Sequence, residues 1–382
     1  MNLAILALIV AIALAGPLLA WSDSLRVPVI VGELAAGVIV GDTGTRWIDP
    51  QEPTLVFLAD IGFALVMFVS GSQVPVRNKT LVHGIRPALA RLAAVIAAAV
   101  VLGIAVAMLF GTDHAALYAV LFASSSAAIV MPMVTSLGLS GPTIERIVPQ
   151  VALADAACIV AVPLVLQPGR AGWVGLGALG VVAGASVVLG LLRMSDRLGW
   201  RTRLHNKSRD RGFALELRLS LLVLLLLAAL AQSVGVSVML AGFCMGLAIA
   251  AIGPRRRLGR QLFGLCEGLF GPIFFVWLGA SLNLRDLIVH PQMIALGVVL
   301  GLAAIAAHAV AALAKLPLSA AVFTAAQIGV PVAAVTVGEK LNAWQPGEGA
   351  AVLLGALVTI AAATITGRRL LHASRSAAHT PT

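Results

Sequence analysis

Long apolar runs, parted by short polar connections, make up nearly the whole chain. About thirteen of them, each of roughly 16 to 25 residues, match the hydrocarbon thickness of a bilayer when wound as helices. They lie near residues 3–21, 27–42, 54–73, 87–110, 114–138, 143–166, 171–192, 215–234, 236–252, 263–283, 291–313, 317–338 and 347–366. Backbone groups in lipid must be satisfied within the segment, so each run is read as a helix. The pattern predicts an all-α integral membrane protein of about 13 transmembrane helices.

The few polar residues inside these runs carry the chemistry. Asp155 sits in Val151-Ala152-Leu153-Ala154-Asp155-Ala156-Ala157-Cys158 of the sixth segment. A carboxylate at that depth costs a few kcal/mol or more and is kept for handling ions or protons. The fifth segment holds Ser124, Ser125 and Ser126 followed by Pro132; the twelfth holds Gln327-Ile328-Gly329-Val330-Pro331. Proline removes a backbone donor and displaces the carbonyl four residues earlier, so helices 5 and 12 are expected to be broken, with loose carbonyls and amides near the break. Where two broken helices cross, half-helix ends and a neighbouring carboxylate can meet a cation.

The halves of the chain echo each other. Gly32-Glu33-Leu34-Ala35-Ala36-Gly37 in the second segment resembles Leu240-Ala241-Gly242-Phe243-Cys244-Met245-Gly246 in the ninth. Met67-Phe68-Val69-Ser70-Gly71 in the third resembles Phe275-Val276-Trp277-Leu278-Gly279 in the tenth, and Phe122 and its serines in the fifth resemble the stretch after Phe323 in the twelfth. Partners stand seven segments apart, an odd number, so one copy must be inverted relative to the other. The expected organisation is a transmembrane domain over 1–366, with repeat one at about 1–168, a linker helix at about 169–193 and repeat two at about 214–366. A short cytoplasmic tail follows at 367–382.

Composition supports a membrane class: 60% of the 382 residues are hydrophobic and 11% charged. The net charge of +10 does not gather on a soluble domain. Arg26, Arg77, Lys79, Arg86, Arg146, the Arg193–Arg211 loop, Arg255–Arg257, Arg260, Lys315 and Arg368–Arg375 fall on one side, against Arg46, Arg170, Arg285 and Lys340 on the other. The positive-inside rule then puts the N-terminus outside and the C-terminus in the cytoplasm, in the inner (plasma) membrane. Cys158, Cys244 and Cys266 lack metal or redox spacing and read as packing residues. No hydrolase, nucleotide or resident-metal motif stands out, so neither an enzyme nor a cofactor is expected, and the basic loops face lipid rather than nucleic acid.

Gly32-Glu33-Leu34-Ala35-Ala36-Gly37 with Gly41 and Gly44, Leu58-Ala59-Asp60-Ile61-Gly62, the three serines, and Ile273-Phe274-Phe275-Val276 with Gly279 occur here in order. In these motifs the chain resembles the monovalent cation:proton antiporter superfamily, in the branch of bacterial sodium/proton exchangers and Kef-type potassium efflux systems. The resemblance runs from about residue 3 to 366. It implies a secondary active antiporter that exchanges Na+ or K+ for H+ by alternating access and works as a homodimer. Asp155 would bind the proton or the cation, with Ser125 and Ser126 as ligands, while Ser124, Pro132, Gln327, Gly329 and Pro331 form the crossover. A Kef-like efflux protein with channel-like behaviour and an organic-anion symporter on a similar fold are the alternatives.

Two positions depart from the family pattern. Relatives pair Asp155 with a preceding Asp, Asn or Gln, whereas this chain has Ala154; relatives carry Lys or Arg in the eleventh segment, where this chain has His308. With the first carboxylate gone, a permanent buried cation would lack its partner, and a histidine can stay neutral. One remaining acid implies one proton per cation, hence electroneutral exchange. His308 and Glu33 are expected to modulate the site.

Overall fold

The structure, a computed structural model, describes residues 3–21, 29–73, 79–167, 169, 171–200, 203, 207, 211, 213–253, 256–281 and 285–378. Among them every regular element is a helix. The first segment is α1 (Leu3–Ala13) with α2 (Ala15–Ala20), followed by α3 (Val29–Val40), α4 (Pro53–Gln73) and α5 (Lys79–Phe110). The fifth segment is divided into α6 (Ala115–Ala123) and α7 (Ala127–Ser136), and α8 (Pro142–Leu166), α9 (Ala171–Arg197), α10 (Leu215–Ser233) and α11 (Val238–Ile252) come next. The tenth segment is α12 (Arg256–Leu265), a π-helical turn (Cys266–Phe270) and α13 (Gly271–Ala280). Then come α14 (Arg285–Val289), α15 (Pro291–Ala309) with a 3-10 turn (Val310–Ala314), α16 (Leu318–Phe323), α17 (Gly329–Lys340) and α18 (Glu348–Ala378).

Ten of the described helical stretches are long and apolar enough to cross a membrane. The other three expected crossings are shorter: α3 has 12 residues, α11 has 15, and the twelfth segment is split between α16 and α17. The chain is thus a multi-pass, all-helical membrane protein. α18 runs to Ala378, past the end expected near 366, because neither proline nor a second glycine follows Gly367 until Pro381. Arg26, Arg77, Arg170, Arg255 and much of the Arg193–Arg211 loop, on which the charge asymmetry rests, lie outside the described residues.

The helices pack as two groups, which meet where α7 lies on α4 and α8 on α9 and α11. In one, α11 lies along α4 and α13 along α3, with α9 and α10 flanking α11. Glycines set both closest approaches. A Cβ on Gly37 would fall 2.2 Å from the Val276 carbonyl oxygen, and one on Gly279 would fall 2.2 Å from that of Leu34. At the other contact, a Cβ on Gly246 would fall 2.4 Å from the Phe68 oxygen and one on Gly71 2.5 Å from the Phe243 oxygen. Small residues let membrane helices approach backbone to backbone, where dispersion replaces the hydrophobic drive missing in lipid. The second group joins α5, α6 and α8 to α15, α16, α17 and α18. It holds the polar positions of the predicted crossover, whereas Glu33 is on α3 in the first group.

Candidate functional site

The two interrupted helices meet where serines replace apolar residues. α6 stops at Ala123, Ser124 is extended at φ −75° and ψ 151°, and Ser126 is extended at φ −116° and ψ 110° before α7 begins. Opposite, residues 324–328 separate α16 from α17. Extended backbone inside a membrane is tolerated only with partners from the protein. They are supplied across the crossing: Ser126 N donates to the Ala326 carbonyl at 2.7 Å, and Ser125 Oγ to the Thr324 carbonyl at 2.6 Å. Ser124 Oγ donates to Gln327 Oε1, and Gln327 N donates to Thr359 Oγ1 at 3.3 Å.

Neither proline makes its break. Pro331 is the third residue of α17, in a first turn whose amides have no helical acceptor in any case. Pro132 lies inside α7, where its missing N–H withdraws a donor from the Ala128 carbonyl. The interruption lies upstream at 124–126, and Gly329 opens the returning helix. A Cβ on Gly329 would meet Met239 Sδ at 2.9 Å.

Asp155 projects from α8 into this crossing and is 1% exposed. Its Oδ2 accepts from Ala127 N at 2.7 Å. Ala127 is the first residue of α7, so the carboxylate caps a helix N-terminus, where unpaired amides and the helix dipole favour negative charge. Its other oxygen, Oδ1, has no hydrogen-bond partner among the described residues, and neither has Ser126 Oγ, the hydroxyl of the residue before Ala127. A buried oxygen without a partner costs about 1–3 kcal/mol. Two unmade contacts at one helix end are what a small cation or a proton would satisfy. Ser125 Oγ spends its hydrogen on Thr324 but keeps lone pairs.

His308, fully buried on α15, ties the crossing from behind. Nδ1 is 2.8 Å from Thr324 Oγ1 and Nε2 is 3.0 Å from the Ser124 carbonyl. A neutral ring satisfies both, with Nε2–H donating to Ser124 and Nδ1 accepting from the Thr324 hydroxyl. Thr324 Oγ1 also lies 2.7 Å from the Ala321 carbonyl, so its single hydrogen serves one partner at a time. The ring therefore bridges the ends of both broken helices. Glu33 does not join this site. It is 4% exposed on α3 and close enough to Glu267 to interact electrostatically. Glu267, with Pro132, Met133, Phe263 and others, lines a cavity of about 120 Å³.

The pattern of a transmembrane sodium/hydrogen exchanger matches residues 9–373. The chain belongs to that family. A putative Na(+)/H(+) antiporter, YjbQ of Bacillus subtilis, is 24% identical over 303 residues, 75% of this chain and 48% of the relative. This chain thus spans about half the length of that protein. A probable Na(+)/H(+) antiporter 3 of Methanocaldococcus jannaschii is 26% identical over 270 residues, 68% of this chain and 67% of the relative. Among solved structures, the sodium proton antiporter MjNhaP1 of the same archaeon superposes with a TM-score of 0.66 over 100% of both chains at 16% identity, a likeness of fold.

Reasoning from sequence missed Thr324, Thr359 and the Ala127 amide. Thr324 was visible only as a hydroxyl beside the second break, and the Ala127 amide leaves no trace in residue type. A polar cluster at one end of the second helix group was missed as well. There Glu348, fully buried at the start of α18, accepts from Tyr118 OH at 2.6 Å, meets His114 Nδ1 at 2.7 Å and accepts from Gln345 N at 3.0 Å.

Proposed function

We propose that this protein is a monovalent cation/proton antiporter in which Asp155 binds H+ and Na+ or K+ alternately. The observation that carries the reading is the pair of unpartnered oxygens, Asp155 Oδ1 and Ser126 Oγ, at a helix N-terminus between two interrupted helices. A bare carboxylate there is poorly solvated, and either ligand neutralises it. The neutral site then crosses the bilayer at lower cost than the anion, which couples the two fluxes. Ser126 and Ser125 are the ligands beside Asp155, and one acid with one exchangeable charge supports electroneutral exchange.

The matched glycine contacts, Gly37 with Gly279 and Gly71 with Gly246, support two inverted six-helix repeats, since they pair the second segment with the tenth as the ninth pairs with the third. Alternating access is movement of the group that holds Asp155 against the α3, α4, α11 and α13 group. The uneven distribution of basic residues between alternate connections supports an inner-membrane protein with its N-terminus outside, and the family resemblance supports a homodimer. Purified protein in liposomes with a trapped pH dye tests the function, adding Na+, K+ and Li+ in turn to a preset proton gradient. Dissipation by Na+ or K+, unchanged when valinomycin clamps the potential, is expected. A gradient that no cation dissipates removes the reading, and a marked response to potential removes electroneutrality.

A further inference from the structure

On the face of the second helix group away from α4, α5, α6 and α8 enclose an apolar groove of about 490 Å³. Ile96 and Ile104 of α5 form one rim and are 44% and 48% exposed. Ala119 and Ala123 of α6 and Cys158 of α8 form the floor, and the exposed Ala157 of α8 lies on the opposite rim. The rim and floor lie in three candidate membrane spans, so what surrounds them is hydrocarbon. Small residues usually admit a neighbouring helix; here the exposed rim shows that none from the described chain fills the space.

The dimensions identify the occupant. The eight steps from Ile96 to Ile104 rise about 12 Å along a helix. One leaflet of a bilayer offers chains of about 15 Å, half of the roughly 30 Å hydrocarbon core. The groove begins beside Ala123, at the level of the helix break, and runs to the end of the bundle where α5 and α6 are joined. It therefore covers the depth of one leaflet. A slot lined by methyl groups and open along its length suits a single flexible chain. Left empty, its walls would forfeit the dispersion contacts that close packing provides.

We infer that this groove binds one acyl chain of a membrane lipid, which completes the wall behind the Asp155 site. Ala123 immediately precedes Ser124, and Cys158 lies about one turn beyond Asp155, so the helices that line the groove are the ones that carry the site. The role as a wall rests on the Asp155 reading; the binding of the chain does not.

The test uses the whole protein in liposomes containing a phospholipid with a photoreactive diazirine near the middle of one acyl chain. After illumination the labelled residues are mapped by mass spectrometry. Labelling per exposed residue at 96–104, 115–123 and 157–161 is expected to exceed that on the lipid-facing residues Leu179 and Leu226 at least three-fold. Ala119→Phe, which fills the slot, should bring it down to the level of those helices, with Ala116→Leu at the open end as a second variant should the first not fold. Asp155→Asn should be labelled as the wild type is, so failure of the transport reading leaves this result intact. Even labelling over all exposed faces, a pattern indifferent to both filling variants, or protein–protein cross-links between copies at these residues would each overturn the inference.

Discussion

Replacing Asp155 with Asn separates what the site does from what it costs. The amide oxygen can still accept from Ala127 N, now at 2.7 Å from Oδ2, so the cap of α7 survives as a neutral hydrogen bond. That exchange gives up about 1 kcal/mol, the difference between a charged and a neutral acceptor. Against it stands relief of a buried charge, worth several kcal/mol, less about 1–3 kcal/mol because the amide nitrogen that replaces the unmatched oxygen brings N–H groups with no partner among the described residues. The sum favours the variant by about 0–2 kcal/mol. In cation-free, alkaline buffer, where the wild-type site is bare, Asp155→Asn should melt no lower than wild type in detergent and up to a few degrees higher. The same preparation in liposomes should show no cation-driven proton movement. A variant that melts several degrees lower would mean that the carboxylate is structurally satisfied and that its isolation has been misjudged. Full transport would place the exchange elsewhere.

His308→Ala deprives the Ser124 carbonyl and Thr324 of a partner and leaves a ring-sized void, so about 2–4 kcal/mol of stability should be lost, read as a lower melting temperature. An unchanged melting temperature would refute the bridging role. Gly279→Ala places a Cβ 2.2 Å from the Leu34 carbonyl and 3.0 Å from Gly37 Cα, backbone atoms that cannot step aside, and should cost about 1–3 kcal/mol, with folded yield as the measure. At the end of the bundle the hydrogen bond that His114 donates to the Glu348 carboxylate holds the histidine above the usual range. The pair's contribution is complete below about 6.5, the ordinary histidine value, and is lost as pH rises through the raised one. Melting temperature should therefore fall over that window in the wild type, and this component should vanish in His114→Gln; equal slopes in the two proteins would contradict it.

Much of the site was legible because a polar residue within hydrocarbon is conspicuous one position at a time. Asp155, the three serines, Gln327 and His308 all announced themselves by being in the wrong solvent, and all but Asp155 take part in the hydrogen bonds of the crossing that Asp155 enters through Ala127. The prolines misled, since proline marks a weakened helix without saying where the backbone opens. Pro331 falls in a first turn and Pro132 well inside α7. Glu33 was equally conspicuous, yet it is on α3, within electrostatic reach of Glu267, and takes no part in the crossing.

The sequence by itself determined a helical membrane protein, the approximate positions of its crossings and the residues unfit for lipid. Hydropathy is a local property, summed along one segment against one solvent. Only packing brings Asp155 to cap the helix beginning 28 residues before it and His308 to the Ser124 carbonyl 184 residues away, and leaves one carboxylate oxygen and one serine hydroxyl without partners among the described residues. Those outcomes depend on which helices pack together and at what rotation. Packing between membrane helices is set by backbone approach at glycines such as Gly37 and Gly279, and the positions of the atoms they bring together are not written in any one segment.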